Sequence, residues 1–151
     1  MDLPARILGL DVGTKTIGVA VTDPLGYTAQ PVETVRRKGT QADLAELRRL
    51  VELYNPERFV VGYPLSMSGL PGPQARFVEE FVEHLRTLGL PVELIDERLT
   101  TKQAADALIE TGMRRDKRKA VIDQQAAILI LQGYLDRQRR AATPRPPREE
   151  T

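Results

Sequence analysis

The chain has no cysteine and no tryptophan among its 151 residues, and a single histidine. The first absence excludes disulfides, thiol catalysis and zinc–thiolate centres together. A lone His84, set beside an apolar stripe, reads as a structural or exposed residue rather than a metal ligand. No apolar run approaches the ~20 residues that a membrane-spanning helix needs. The N-terminal Met1-Asp2-Leu3-Pro4-Ala5-Arg6 has none of the apolar core of a secretory leader. These absences favour a cytoplasmic protein without a membrane partner.

Net charge is also nearly missing, at +1, but its distribution is uneven. Residues 98–151 carry 12 Lys/Arg against 7 Asp/Glu, whereas residues 1–97 carry 10 against 14. Much of the excess is concentrated in Arg114-Arg115-Asp116-Lys117-Arg118-Lys119. Five cations in six residues can grip a phosphate backbone, or they can form an ordinary solvated loop.

What is present is the composition of a globular domain, 41% hydrophobic and 28% charged. Residues 5–12 and 16–23 read as two antiparallel strands around a Gly13-Thr14-Lys15 turn. Pro24-Leu25-Gly26 turns the chain into a third strand, Tyr27 to Arg37, which Pro31 threatens to interrupt. Thr40 resembles a helix cap. Leu44, Leu47, Val51 and Tyr54 recur at helical spacing, so 41–54 is predicted helical and Asn55-Pro56 ends it. Arg58–Gly62 reads as a buried strand. A Pro/Gly/Ser-rich loop through Gly72, with Met67 as an ordinary loop residue, leads into a helix begun by Pro73 and ended by Gly89. Val92–Asp96 is a fifth strand, Thr100–Glu110 a short helix and Val121–Arg137 a last helix. The Pro- and charge-rich end of the chain, 139–151, reads as a disordered tail after one domain over 1–138. A three-strand meander followed by two right-handed crossovers predicts an α/β fold, a five-stranded mixed sheet with helices on both faces.

Three carboxylates stand where such sheets gather ligands, near the carboxyl ends of parallel strands. Asp11 lies inside an apolar strand, where burial of a lone ionised acid costs several kcal/mol. Glu97 follows the fifth strand. Asp123 stands in the first turn of the last helix, and Ala126 and Ala127 at i+3 and i+4 let that helix approach the sheet. Converging acids without Cys or His call for a hard cation, Mg²⁺ or Mn²⁺, of the kind that serves phosphodiester hydrolysis. Simpler roles exist for each: Asp11 paired with Lys15, Glu97 with Arg98, and Asp123 favoured by the helix dipole. Thr14 and Lys15 could contact phosphate from the turn, and Thr100 and Thr101 could bind substrate or cap a helix.

Four motifs in order resemble the YqgF (RuvX-like) family of Holliday junction resolvases and pre-16S rRNA nucleases. They are Gly9-Leu10-Asp11-Val12-Gly13-Thr14-Lys15-Thr16-Ile17-Gly18-Val19-Ala20, Val60-Val61-Gly62-Tyr63-Pro64-Leu65, Asp96-Glu97-Arg98-Leu99-Thr100-Thr101, and Asp123-Gln124-Gln125-Ala126-Ala127. The match spans about Ile7 to Asp136. The resemblance implies an RNase H-like fold and a metal-dependent nuclease whose acidic triad is Asp11, Glu97 and Asp123. It further implies a nucleic-acid partner, RNA or branched DNA, with a homodimer for paired junction cuts and ribosomal precursor particles for rRNA maturation. Thr16 replaces a frequent Arg of the family and Ser66 a frequent Asn, which bears on backbone grip. RNase H-like resolvases often add a fourth carboxylate on the last helix. Asp123 has no acid at i+3 or i+4, so one ion is expected to bind tightly and a second weakly. Two other functions compete: a non-catalytic nucleic-acid-binding module in ribosome assembly using Arg114–Lys119, and a sugar-kinase or actin-like ATPase, whose first phosphate loop also reads Asp-x-Gly-Thr but whose second domain this length cannot supply.

Overall fold

The structure is a computed structural model that describes residues 4–64, 72–96 and 115–142, with side chains from 124 to 139 in the last segment. Its elements are β1 (Arg6–Val12), β2 (Thr16–Thr22), β3 (Ala29–Arg36), α1 (Thr40–Tyr54), β4 (Pro56–Tyr63), α2 (Pro73–Leu85), a 3-10 turn (Arg86–Leu88), β5 (Val92–Asp96) and α3 (Arg115–Ala142). The strands form one sheet in the order β3-β2-β1-β4-β5. β2 pairs antiparallel with both β1 and β3, and β4 parallel with both β1 and β5. This is the expected meander joined to two parallel strands.

Alternation along β1 splits the core into two layers. Leu8, Leu10 and Val12 join Ile17, Val19, Phe59 and Val61 on one face, where Leu47 and Leu50 of α1 and Val78, Phe81 and Leu85 of α2 cover them. Ile7, Ala20 and Val60 lie on the other face, under Ala127, Ile130, Leu131 and Tyr134 of α3. Helices therefore flank both faces, as predicted.

Pro31 does not end the third strand. Val19 pairs with Glu33 and Ala20 with Pro31, so Val32 is the extra residue of a β-bulge. An edge strand tolerates a proline there because no inner neighbour needs its missing N–H. Thr40 is not the cap of α1 either. Gly39, at φ 135°, occupies that position without a side-chain bond. Asn55 closes the helix in the left-handed region, at φ 50°, as the predicted Asn55-Pro56 stop requires.

The largest difference is α3. It begins at Arg115 rather than Val121 and runs to Ala142. Arg115, Lys117, Arg118 and Lys119, expected in a loop, are helical. Arg and Lys are good helix formers, and no Gly or Pro interrupts 115–124. Asp123 is consequently more than two turns inside the helix and not in its first turn. The dipole explanation of that acid falls with the boundary, because the dipole acts within the first turn. The predicted helix Thr100–Glu110 and residues 143–151 lie outside the described residues.

Candidate active site

Asp11 is the penultimate residue of β1 and is half-buried. By alternation with Ile7 it belongs to the face that α3 covers. Directly opposite it on β2 is Gly18. On the other side Leu10 pairs with Val61, so the next β4 residue toward Asp11 is Gly62. The carboxylate thus rises from a row whose neighbouring positions carry no side chains.

A third glycine explains how close the helix comes. A Cβ built on Gly9 would lie 2.8 Å from Leu131 Cβ and 3.3 Å from the Ala127 carbonyl oxygen. Backbone of β1 and backbone of α3 meet here, with Ala127 fully buried at the contact and Ala126 beside it also buried. The expectation that small residues let this helix approach the sheet is met.

Side-chain contacts give the helix its direction. Arg58, paired in register with Ile7, donates through Nη1 to the Tyr134 hydroxyl at 3.0 Å. The Gln132 amide oxygen accepts from the Ala29 N–H at 3.0 Å, and Arg139 Nη2 donates to the Tyr27 carbonyl at 2.9 Å. Residues 132–139 therefore lie at the beginning of β1, and Ala127–Leu131 lies at Gly9. α3 runs antiparallel to β1, with its earlier turns toward the Asp11 end.

The turn after Asp11 is closed by Gly13 N–H donating to the Thr16 carbonyl at 2.8 Å, with Thr14 and Lys15 exposed at its tip. It is also held from outside. Arg37 donates from its backbone N–H to the Lys15 carbonyl at 2.9 Å and from Nη1 to the Gly13 carbonyl at 3.1 Å. Arg37 Nε pairs with Asp43 at 2.9 Å, and Asp43 is 1% exposed. Sequence reasoning missed this pair. Its signal was an acid on the inward stripe of α1, four residues before Leu47, where an apolar residue would be expected.

Among the described residues, no three His, Cys, Asp or Glu side chains converge. Glu97, Thr100, Thr101 and Arg114 lie outside the described residues, as do the side chains of Arg115, Lys117, Arg118, Lys119 and Asp123. Asp96, the residue before Glu97, ends β5 half-buried and in register with Tyr63. The Tyr63 hydroxyl donates to Glu79, which pushes the phenol above its ordinary range, with burial adding to the effect. His84 is exposed on α2, which covers the opposite face from α3.

Residues 5–137 match the RuvX family, described as Holliday junction resolvase. The chain belongs to this family. A candidate pre-16S rRNA nuclease of Moorella thermoacetica is 57% identical over 133 residues, covering 87% of this chain and 95% of the relative. Another of the same name, from Lachnospira eligens, is 52% identical over 135 residues, covering 87% and 96%. Among solved structures, Thermus thermophilus RuvC in complex with a Holliday junction substrate superposes with a TM-score of 0.56 at 15% identity, over 93% of this chain and 99% of that one. The fowlpox virus resolvase with its junction DNA gives 0.51 at 15% identity, over 88% and 98%. At such identity the likeness concerns the fold, which is RNase H-like. Family membership makes the chain one of a group of nucleases, and among its described residues no helix is long and apolar enough to cross a membrane.

Proposed function

We propose that this protein is a divalent-metal-dependent nuclease of the cytoplasm that processes the 5′ end of the 16S rRNA precursor, with Asp11, Glu97 and Asp123 as its metal-holding carboxylates. The observation that carries the reading is the contact of α3 with β1 at Gly9, together with the direction of the helix. From Gly9 to Asp11 the strand advances about 6.6 Å, and from Ala127 back to Asp123 the helix advances about 6 Å. With the elements antiparallel, the two acids stand at the same level. Glu97 follows directly on β5, whose Ile95 is in register with Gly62, the neighbour of Asp11.

The donor set suits Mg²⁺ or Mn²⁺: oxygen ligands near the carboxyl ends of β1 and β5, no cysteine anywhere, and the one histidine on the α2 side. When bound, such an ion offsets charge on the scissile phosphate and makes water acidic enough to supply hydroxide near neutral pH. The chain's own part is to hold and to admit. Asp11 is fixed by strand pairing on both sides, and the glycines beside it leave room for a phosphate to come close. Thr14 and Lys15 project from the turn toward a neighbouring phosphate. Arg114, Arg115, Lys117, Arg118 and Lys119 supply a cationic segment for the backbone, and Thr100 and Thr101 a polar one. RNA is favoured over branched DNA by the relatives at 57% and 52% identity, which carry the rRNA name. The family description favours the second reading, junction cleavage by a homodimer, since two symmetric cuts need two sites.

The decisive experiment offers a pre-16S rRNA 5′ fragment, a four-way DNA junction and single-stranded DNA side by side, with Mg²⁺ or Mn²⁺. The wild type should cut the RNA fragment, and Asp11→Asn should lose at least a thousandfold in rate while keeping its fold and RNA affinity. Full activity in Asp11→Asn would remove the acid from the mechanism. Preferential cutting of the junction would move the substrate to DNA.

A further inference from the structure

Arg37 is placed too well for a surface arginine. It follows the last residue of β3, yet its side chain is only 12% exposed. Its guanidinium lies over the rings of Phe77 and Phe81, at 5.1 and 4.9 Å from their centroids. Nε donates to Asp43 Oδ2, while the other carboxylate oxygen accepts from the Lys38 N–H at 3.0 Å. Nη1 donates to the Gly13 carbonyl, beside the backbone N–H that donates to the Lys15 carbonyl.

Stability alone is a poor reason for this arrangement. A buried ion pair in an apolar layer is often no better than two apolar residues of similar volume, because desolvation offsets the attraction. What two apolar residues could not do is donate to a turn. Gly13 is two residues beyond Asp11, and the turn carries Thr14 and Lys15. We infer that Arg37, fixed by Asp43 and by the two rings, is a positioning residue. It locks the Gly13–Lys15 turn so that Asp11 and the tip residues keep one geometry toward the scissile phosphate. This rests on the nuclease reading of Asp11.

The test separates tethering from stability by replacing both members of the pair. Arg37→Met with Asp43→Leu leaves no lone buried charge, and methionine can lie against the two phenylalanines. The double variant should melt within a few degrees of the wild type. Its Gly13–Thr16 amides should exchange hydrogen at least tenfold faster, and kcat should fall at least tenfold with KM changed less than threefold. Wild-type exchange and wild-type kcat in the folded double variant would overturn the inference. If that variant does not fold, Arg37→Lys decides by the same two measurements, since lysine keeps a charge for Asp43 but cannot also reach the Gly13 carbonyl from a planar fork. Asp11→Asn is run in parallel. Full cleavage there would defeat the nuclease reading, while the exchange measurement would still decide whether Arg37 holds the turn.

Discussion

One hydrogen atom at Gly9 sets the distance between a helix and a sheet. Alanine there would place a methyl 2.8 Å from Leu131 Cβ, and the nearby Ala127 oxygen is backbone that cannot rotate aside. We expect Gly9→Ala to destabilise the fold by about 1–3 kcal/mol, the usual cost of overpacking, measured by urea unfolding. It should also lower cleavage in the fraction that stays folded, because α3 carries Asp123. Asp23 governs another turn. Its carboxylate accepts from the N–H groups of Thr28 and Tyr27, both at 2.7 Å, and of Leu25 at 3.2 Å. The Thr28 amide foremost holds its pKa below 3.8, with desolvation opposing and the Leu25 and Tyr27 amides assisting. The folded-state value is depressed, so the contribution is present above pH 3.8 and is lost as pH falls through the lower folded value. Asp23→Ala should therefore be less stable than wild type at pH 7, and the difference should shrink below about pH 3.8. Equal differences at both pH values would contradict the assignment.

At the scale of elements, the strands and the first two helices were legible because their signals are local. The apolar runs Ile7–Val12 and Ile17–Val21, the Gly13-Thr14-Lys15 turn and the Asn55-Pro56 stop each act within a few residues. α3 was misjudged at its start because charged residues carry no apolar period, even though their backbone propensity is helical. That shift changes what the basic segment is. Four of its five cations ride on a helix continuous with the one over the sheet, and not on a pliant loop. Neutralising Arg114, Arg115, Lys117, Arg118 and Lys119 should weaken RNA binding and flatten its salt dependence, by about 0.7 in log–log slope for each phosphate that the segment no longer neutralises. An unchanged slope would take the segment out of the interface. The Arg37–Asp43 pair stayed hidden for a different reason. Arg37 and Asp43 are each ordinary in sequence, and only the docking of α1 and α2 on one face makes them buried and mutual.

For the molecule as a whole, two apolar clusters hold the sheet from both sides. Removal of divalent cations with EDTA should abolish cleavage and leave the melting temperature within a few degrees of its original value. Unfolding on chelation would mean that the ion is structural, as in small metal-stapled domains.

The sequence by itself determined the apolar strands, the turns and a meander joined to two parallel strands, since each rests on near neighbours, and it offered three acids as candidates. It determined the absence of cysteine ligands outright. The tertiary structure alone decided that α3 runs antiparallel to β1 and touches it at Gly9, with its earlier turns toward the Asp11 end. It alone turned Arg37 inward. Both are contacts between residues far apart in the chain, set by backbone approach and desolvation, and no local pattern encodes a distance of that kind.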